Sequence, residues 1–449
     1  MTRTDDITSG PIIKTVISLA LPVMLGMFFE VALSVTDFFW VGKLGASAQD
    51  AVTSSMVVMW TIFASISLIS IGLTALVSRH VGAGEPNKAA FFTWQALTLA
   101  VILSTIVSLA GYAGAPFILH LMGAGEATHR LAVPYLRIFF VSTVAFTLAE
   151  TAYAAFRAAG DTTTPTIIAS AAVLLNMVLD PLLIFGIGPF PELGVAGASL
   201  ASAISMGLAA VCITWRLFSG KAGFELKGVV FTRPDLHNMT RIVRIGAPIA
   251  CQQMVFVGVY WVLIGIVHRF GEPAGAAMGI GNRMESFSYL LCYGISLAAS
   301  TMVGQNLGSK NPARAARCAW SAVGLGVAVT MTTSACFIIL PGQIASIFTD
   351  DQRVMVIAVD YLIILGLSQI TMATEIILEG AFSGAGDTVP PMLVGGLGSL
   401  ARIPLAILLA ISLGWGINGV WWTLTITTTV KAIILALWFK HGRWQLRQV

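Results

Sequence analysis

Charge is what this chain has least of. Of 449 residues only 10% are Asp, Glu, Lys or Arg, while 57% are hydrophobic, and the mean hydropathy is +0.87. A water-soluble domain carries about 25% charged residues, so a chain this poor in charge cannot clothe itself for water. The five cysteines (Cys212, Cys251, Cys292, Cys318, Cys336) sit in apolar segments without CxxC spacing, which excludes a disulfide framework or a zinc module. The six histidines are scattered at segment ends rather than clustered as ligands. There is no GxxxxGK[ST] and no HExxH, so neither P-loop ATP hydrolysis nor zinc proteolysis is supported. An enzyme is not expected, nor a cofactor, nor a nucleic-acid partner. The opening MTRTDDITSGP lacks the basic-then-apolar order of a cleaved leader. The apolar run from about Ile12 therefore reads as a first membrane span.

What the chain has instead is apolar length. A helix needs about 20 apolar residues to cross a bilayer, and twelve such segments run between residues 14 and 440. Gly and Pro punctuate the joints: GAGEPN, GDTTTP, GPFPELG, GEPAG, GSKNP and GDTVPP. With the N-terminus placed inside, seventeen Lys and Arg fall on the inner side, Arg3 and Lys227 among them. Five fall outside: Lys43, Arg130, Arg137, Arg269 and Arg353. The bias puts both termini in the cytoplasm. Arg283, Arg402 and Lys431 remain within helices.

The chain repeats itself at an offset of 226 residues. Pro22 matches Pro248, Gly82 matches Gly308, Trp94 matches Trp320, Asp161 matches Asp387, and YAAFRAAGDTTTP echoes EGAFSGAGDTVPP. Six spans return the chain to the same side, so the repeat is parallel. The expected organisation is a six-helix lobe over 1–218, a basic linker over 219–239 and a second six-helix lobe over 240–449. Leu236, Met239, Ile242 and Val243, at helical spacing, suggest a short amphipathic helix on the inner membrane surface.

These motifs resemble the multidrug and toxic compound extrusion (MATE) family. The likeness rests on LALPVMLGMFFEVALSVTDFFWVGKLG, SRHVGAGEP and RAAGDTTTP, with diverged second-half copies, and NMVLDP is similar to the DinF-like branch. It covers essentially the whole chain. The resemblance implies an all-α integral membrane fold, twelve helices in two lobes set in a V around a central cavity. It implies a multi-pass monomer in the bacterial or archaeal cytoplasmic membrane that exports amphipathic or cationic compounds by proton or sodium antiport. A lipid or lipid-linked oligosaccharide flippase of the same superfamily is the alternative; it should favour a more cationic cavity.

The intramembrane polar residues localise that chemistry. An ionisable side chain at mid-bilayer costs about 2.5–3.5 kcal/mol on insertion scales, so it should face the bundle interior. Asp37 lies in the first span; Asn176 and Asp180 lie one turn apart in the fifth, beside Pro181. Two nearby carboxylates cannot both stay ionised cheaply, so they should take up a proton or a cation as a unit. Asp37, Asn176 and Asp180 supply the oxygens sodium would need, and the carbonyl of Met177 is freed by Pro181. The resemblance adds Tyr135 as a neighbour. Glu30, seven residues before Asp37, shares its face and is a substrate-cavity candidate. Gln253, Phe256, Tyr260, Met284 and Glu375 are the others.

The second half does not duplicate the carboxylates. Leu263 stands opposite Asp37, and NMVLDP aligns with SLARIP, 399–404, after a three-residue slip. Glu379 and Arg402 are expected to form a buried ion pair, since buried charges normally pair, and Arg283 and Glu285 a similar one. Another branch of the family carries an acid where this chain has Phe256.

Overall fold

The computed structural model describes residues 4–447 except 124, 227, 230 and 231. Arg3 and Lys227, counted above among the inner charges, lie outside the described residues. The helices are α1 Thr4–Ser9, α2 Ile12–Gly42, α3 Ala46–Gly82, α4 Pro86–Leu121, α5 Glu126–Ala158, α6 Thr163–Phe185 and α7 Val195–Phe218. They continue as α8 Leu236–His268, α9 Glu272–Gly308, α10 Pro312–Ile339, α11 Pro341–Ser346, α12 Gln352–Ala385, α13 Val389–Leu400, α14 Arg402–Ala406 and α15 Ile417–His441. Twelve spans are long and apolar enough to cross a membrane, with Val389–Ser412 counted as one. The architecture is the expected all-helical one, and no strand occurs among the described residues.

Two compact units emerge. One is built on Pro22–Arg244, the other on Asp5–Leu21 together with Ile245–Val449. The division falls inside α2, at Pro22. In the first unit α5 packs against α3, α4 and α7; in the second α12 packs against α9, α10 and α15. Small residues let these helices close. A Cβ on Gly384 would meet the Ser300 carbonyl oxygen at 2.0 Å, and one on Gly281 would meet the Tyr361 ring at the same distance. Exposed Leu, Ile, Val and Phe cover the outside, as a lipid-facing surface requires.

The repeat is visible in single hydrogen bonds. The turn after α3 closes with Glu85 N–H on the His80 carbonyl at 2.9 Å, and the turn after α9 with Asn311 N–H on the Asn306 carbonyl at 2.9 Å. After α5 and α12, the Asp161 and Asp387 amides donate to the Phe156 and Phe382 carbonyls at 2.9 and 3.1 Å. The copy is imperfect at one turn: Gly84 has φ +71°, while its counterpart Lys310 takes φ +58°, a conformation that costs a side-chain-bearing residue.

The joint between the halves differs from expectation. Leu236, Met239, Ile242 and Val243 do not form a separate surface helix; they lie in the first turns of α8, which runs unbroken to His268. The stretch before it is pinned to α4. Trp94 Nε1 donates to the Thr232 carbonyl at 3.2 Å, while Gln95 donates to the Arg233 carbonyl at 3.2 Å and accepts from the Asp235 amide at 2.9 Å. Asp235 then starts α8 by accepting from the His237 and Asn238 amides. At the other end, the Ile7 carbonyl accepts from Asn306 at 3.3 Å, and the Arg314 guanidinium reaches the Ile7 and Gly10 carbonyls, so Asp5–Leu21 belongs to the second unit.

Candidate functional site

Helices α2, α5 and α6 bring the first unit's polar residues together. Asp180 is fully buried on α6 and Asn176, one turn earlier, is 2% exposed. Asp37 on α2 is half-buried. The Asp37 and Asp180 carboxyls lie close enough to act on each other. Among the described residues no donor reaches Asp37 Oδ1, either Asp180 oxygen or Asn176 Oδ1, all of them buried. Two ionised carboxylates offer only acceptors, so the contact becomes a bond only when a proton or a cation enters. Asn176 is oriented with its amide nitrogen on Ser202 Oγ at 2.8 Å, which aims its oxygen away from α7.

Tyr135 on α5 lies in the field of both aspartates. Its backbone carbonyl accepts from Ser199 Oγ at 2.8 Å, and its hydroxyl meets the Met59 sulfur at 3.9 Å. The four residues expected to form a cation or proton site thus share one neighbourhood. Four acceptor oxygens with no resident donor suit a proton or a hard cation such as sodium equally. No group of three or more His, Cys, Asp or Glu fit to hold a metal occurs among the described residues.

Glu30 is exposed and stands in the field of the Glu150–Arg157 pair, whose atoms are 3.5 Å apart. The rise of a helix places it about 10 Å along α2 from Asp37. It belongs to the same unit but not to the aspartate cluster.

In the second unit the expected Glu379–Arg402 pair does not form. Glu379 accepts from Gln252 at 2.6 Å instead, and Arg402 donates through Nε to Thr427 at 3.0 Å and through Nη2 to Thr428 at 3.1 Å. The buried ion pair is Glu375 with Lys431, at 2.5 Å. Their sequence separation of 56 residues gave no hint of it. Glu375, expected in the substrate cavity, is committed to that pair. Arg283 and Glu285 do not form an ion pair among the described residues either. Phe256 stacks on Tyr260 with centroids 5.8 Å apart, under the Arg402 guanidinium at 5.7 Å. Met284 packs against the unit's core, and Gln253 is half-buried.

The three-residue slip is corrected as well. Leu193 and Gly194 amides donate to the Leu183 and Ile184 carbonyls; Trp415 and Gly416 donate to those of Leu409 and Ala410. The offset therefore stays at 226 through this span and drops to 222 only in the shorter loop after it. Arg402 stands where Asn176 does, and Ala406 where Asp180 does. Pro404 follows the interruption between α13 and α14, three residues before the position equivalent to Pro181, which α6 accommodates without a break; a π turn then runs over Ile407–Ser412.

Comparison with known proteins decides the family. The MatE family model matches residues 22–182 and again 248–408. The chain belongs to the MatE family. Members of the MatE family are transporters, and this chain is a multi-pass membrane protein. A probable multidrug resistance protein NorM of Thermotoga maritima is 28% identical over 438 residues, covering 97% of this chain and 94% of that one. A FAD transporter of Shewanella oneidensis is 26% identical over 430 residues, covering 96% and 92%. Among solved structures, a MOP superfamily transporter from Pyrococcus furiosus superposes with a TM-score of 0.91 at 21% identity, over 99% of this chain and 98% of that one. The Vibrio cholerae MATE transporter VcmN in its bent form gives 0.88 at 20%, over 98% of each chain. The MatE match falls on both halves, which is the repeat read from the sequence.

Proposed function

We propose that this MatE member is a secondary antiporter that exports amphipathic or cationic organic compounds by alternating access, in exchange for protons or sodium. The observation that carries the reading is the cluster of Asp37, Asp180 and Asn176 with its four donorless oxygens. In this reading the ion enters between the two carboxyls, Asn176 turns its oxygen to it, and Tyr135 closes the side. Entry joins α2 to α6; ion loss lets two carboxylates repel and part. One charge crossing 100 mV is worth about 2.3 kcal/mol, enough to drive a substrate uphill. The names of the NorM relatives support drug efflux, and NMVLDP supports the DinF-like branch. The distribution of Lys and Arg supports cytoplasmic termini and the inner membrane, and we take the unit of function to be the monomer.

The test is uptake of an organic cation dye into proteoliposomes under an imposed pH gradient or an imposed sodium gradient. Wild type and Asp180→Asn are compared at equal incorporation. Gradient-driven accumulation that the substitution abolishes supports the reading. Accumulation unchanged by the substitution removes the aspartate pair from coupling. No accumulation under either gradient favours the lipid flippase.

A further inference from the structure

The second unit has lost both aspartates yet keeps charge in the same frame. Leu263 and Ala406, both fully buried, stand where Asp37 and Asp180 do. Tyr361 repeats Tyr135. Arg402 replaces Asn176, and Glu285 replaces Met59, whose sulfur meets the Tyr135 hydroxyl in the first unit. The helix bounds support the match, because α3 begins at Ala46 and α9 at Glu272, with ends at Gly82 and Gly308.

These two charges do not meet. Arg402 is 6% exposed, and its only hydrogen-bond acceptors among the described residues are the Thr427 and Thr428 hydroxyls, which leave Nη1 without one. Glu285 is half-buried and has no hydrogen-bond or ion-pair partner among the described residues. Asn282, one turn before Glu285 on α9, accepts from the Tyr361 hydroxyl at 3.3 Å, and Glu285 lies in the electrostatic field of Arg402. The neighbouring charges are already engaged, Glu375 with Lys431 and Glu379 with Gln252. Tyr260 stands in the field of both Glu285 and Arg402, and the Phe256 ring, 43% exposed, is stacked upon it. Glu285 and Arg402 therefore each keep the capacity to bind a group of opposite charge, and a medium of low dielectric strengthens that attraction. A guanidinium with a free edge takes a carboxylate or phosphate, and a carboxylate beside an aromatic ring takes an organic cation.

We infer that Glu285 and Arg402 form a binding site for zwitterionic amphiphiles, in which Arg402 holds the acid group, Glu285 the cationic group, and Phe256 and Tyr260 the apolar body. The inference rests on the efflux reading above and names a substrate class for the second unit.

The test is equilibrium binding, by fluorescence anisotropy, of rhodamine 110 and of its methyl ester rhodamine 123 to the purified full chain. The first dye is a zwitterion and the second a cation of nearly the same shape. The wild type should bind the zwitterion about tenfold more tightly, one charge-assisted pair. Arg402→Gln should erase that preference while leaving ester binding within about twofold, and Arg402→Lys, which keeps the charge, should restore part of it. Glu285→Gln should weaken both dyes. Equal loss of both dyes in Arg402→Gln makes the arginine merely structural and overturns the inference. A wild type that exports the ester but shows no preference for the zwitterion overturns this inference alone. A wild type that neither binds nor moves either dye overturns the efflux reading beneath it.

Discussion

Lys431→Met cuts the buried Glu375–Lys431 ion pair of the second unit while keeping most of the lysine stem. Lys431 is 5% exposed and Glu375 8%, with Nζ and Oε1 2.5 Å apart, so neither charge has water to fall back on. Removing one member of a buried pair costs about 3–5 kcal/mol, because the other charge is left uncompensated; replacing both by apolar residues of similar size is often near neutral. The single substitution should therefore destabilise by about 3–5 kcal/mol, and Lys431→Met with Glu375→Met by about 1 kcal/mol or less. Equilibrium unfolding of the purified protein in mixed detergent reads both. A structural neighbour gives an independent handle: a Cβ on Gly398 would lie 2.5 Å from the Lys431 Cγ and Cδ. Gly398→Ala must displace the stem, and overpacking of this kind costs about 1–3 kcal/mol. If the double substitution proves as damaging as Lys431→Met, the pair is not what the site depends on, and the argument from an orphaned charge is wrong.

Other consequences are open to similar checks. Gly384→Ala drives a methyl into the Ser300 carbonyl at the α9–α12 contact, and should lower stability by about 1–3 kcal/mol in the same unfolding assay. Asp235, outside the membrane spans, accepts from the Asn238 side chain and amide, which holds its carboxyl below the usual carboxylate range. A depressed value stabilises the folded state above the unfolded pKa of about 3.9 and is lost as pH falls through the folded one. Amide exchange at His237 and Asn238 should therefore accelerate in acid more than the exchange chemistry alone predicts, and Asp235→Asn should remove that extra acid sensitivity. Gln95→Ala unpins the segment before α8 from α4 by taking away bonds to Arg233 and Asp235. Limited proteolysis should then cut between residues 219 and 235 faster than in the wild type.

Much of this was legible in the sequence, for physical reasons that vary by feature. The spans were legible because lipid demands length and hydropathy, and the repeat because Pro and Gly at the joints close the same turns twice. The nearness of Asp37 to Asp180 was legible because a carboxylate in mid-bilayer is costly and turns to the bundle interior. The start of α8 was not, since Leu236, Met239, Ile242 and Val243 have the same spacing whether they lie on a membrane surface or open a span. The slip at NMVLDP arose because a proline attracts an alignment; here the two prolines of equivalent spans sit at different heights, Pro181 inside an unbroken α6 and Pro404 just after the break between α13 and α14. The Glu375–Lys431 pair escaped because helix periodicity shows which face a residue takes, not which distant helix that face meets. Glu379 was assigned Arg402 on the rule that buried charges pair, yet an amide and two hydroxyls were nearer.

The central claim is that the Asp37–Asp180 pair exchanges one ion against substrate. The most direct measurement is calorimetric titration of the purified protein with an organic cation, run in buffers of different ionisation enthalpy and across a sodium series. The account predicts that binding to the wild type releases about one proton, or in its place one sodium ion. Asp180→Asn should bind the same cation with no ion released and with affinity independent of pH and sodium. Undiminished ion release in Asp180→Asn would contradict the account and place the exchange elsewhere in the protein.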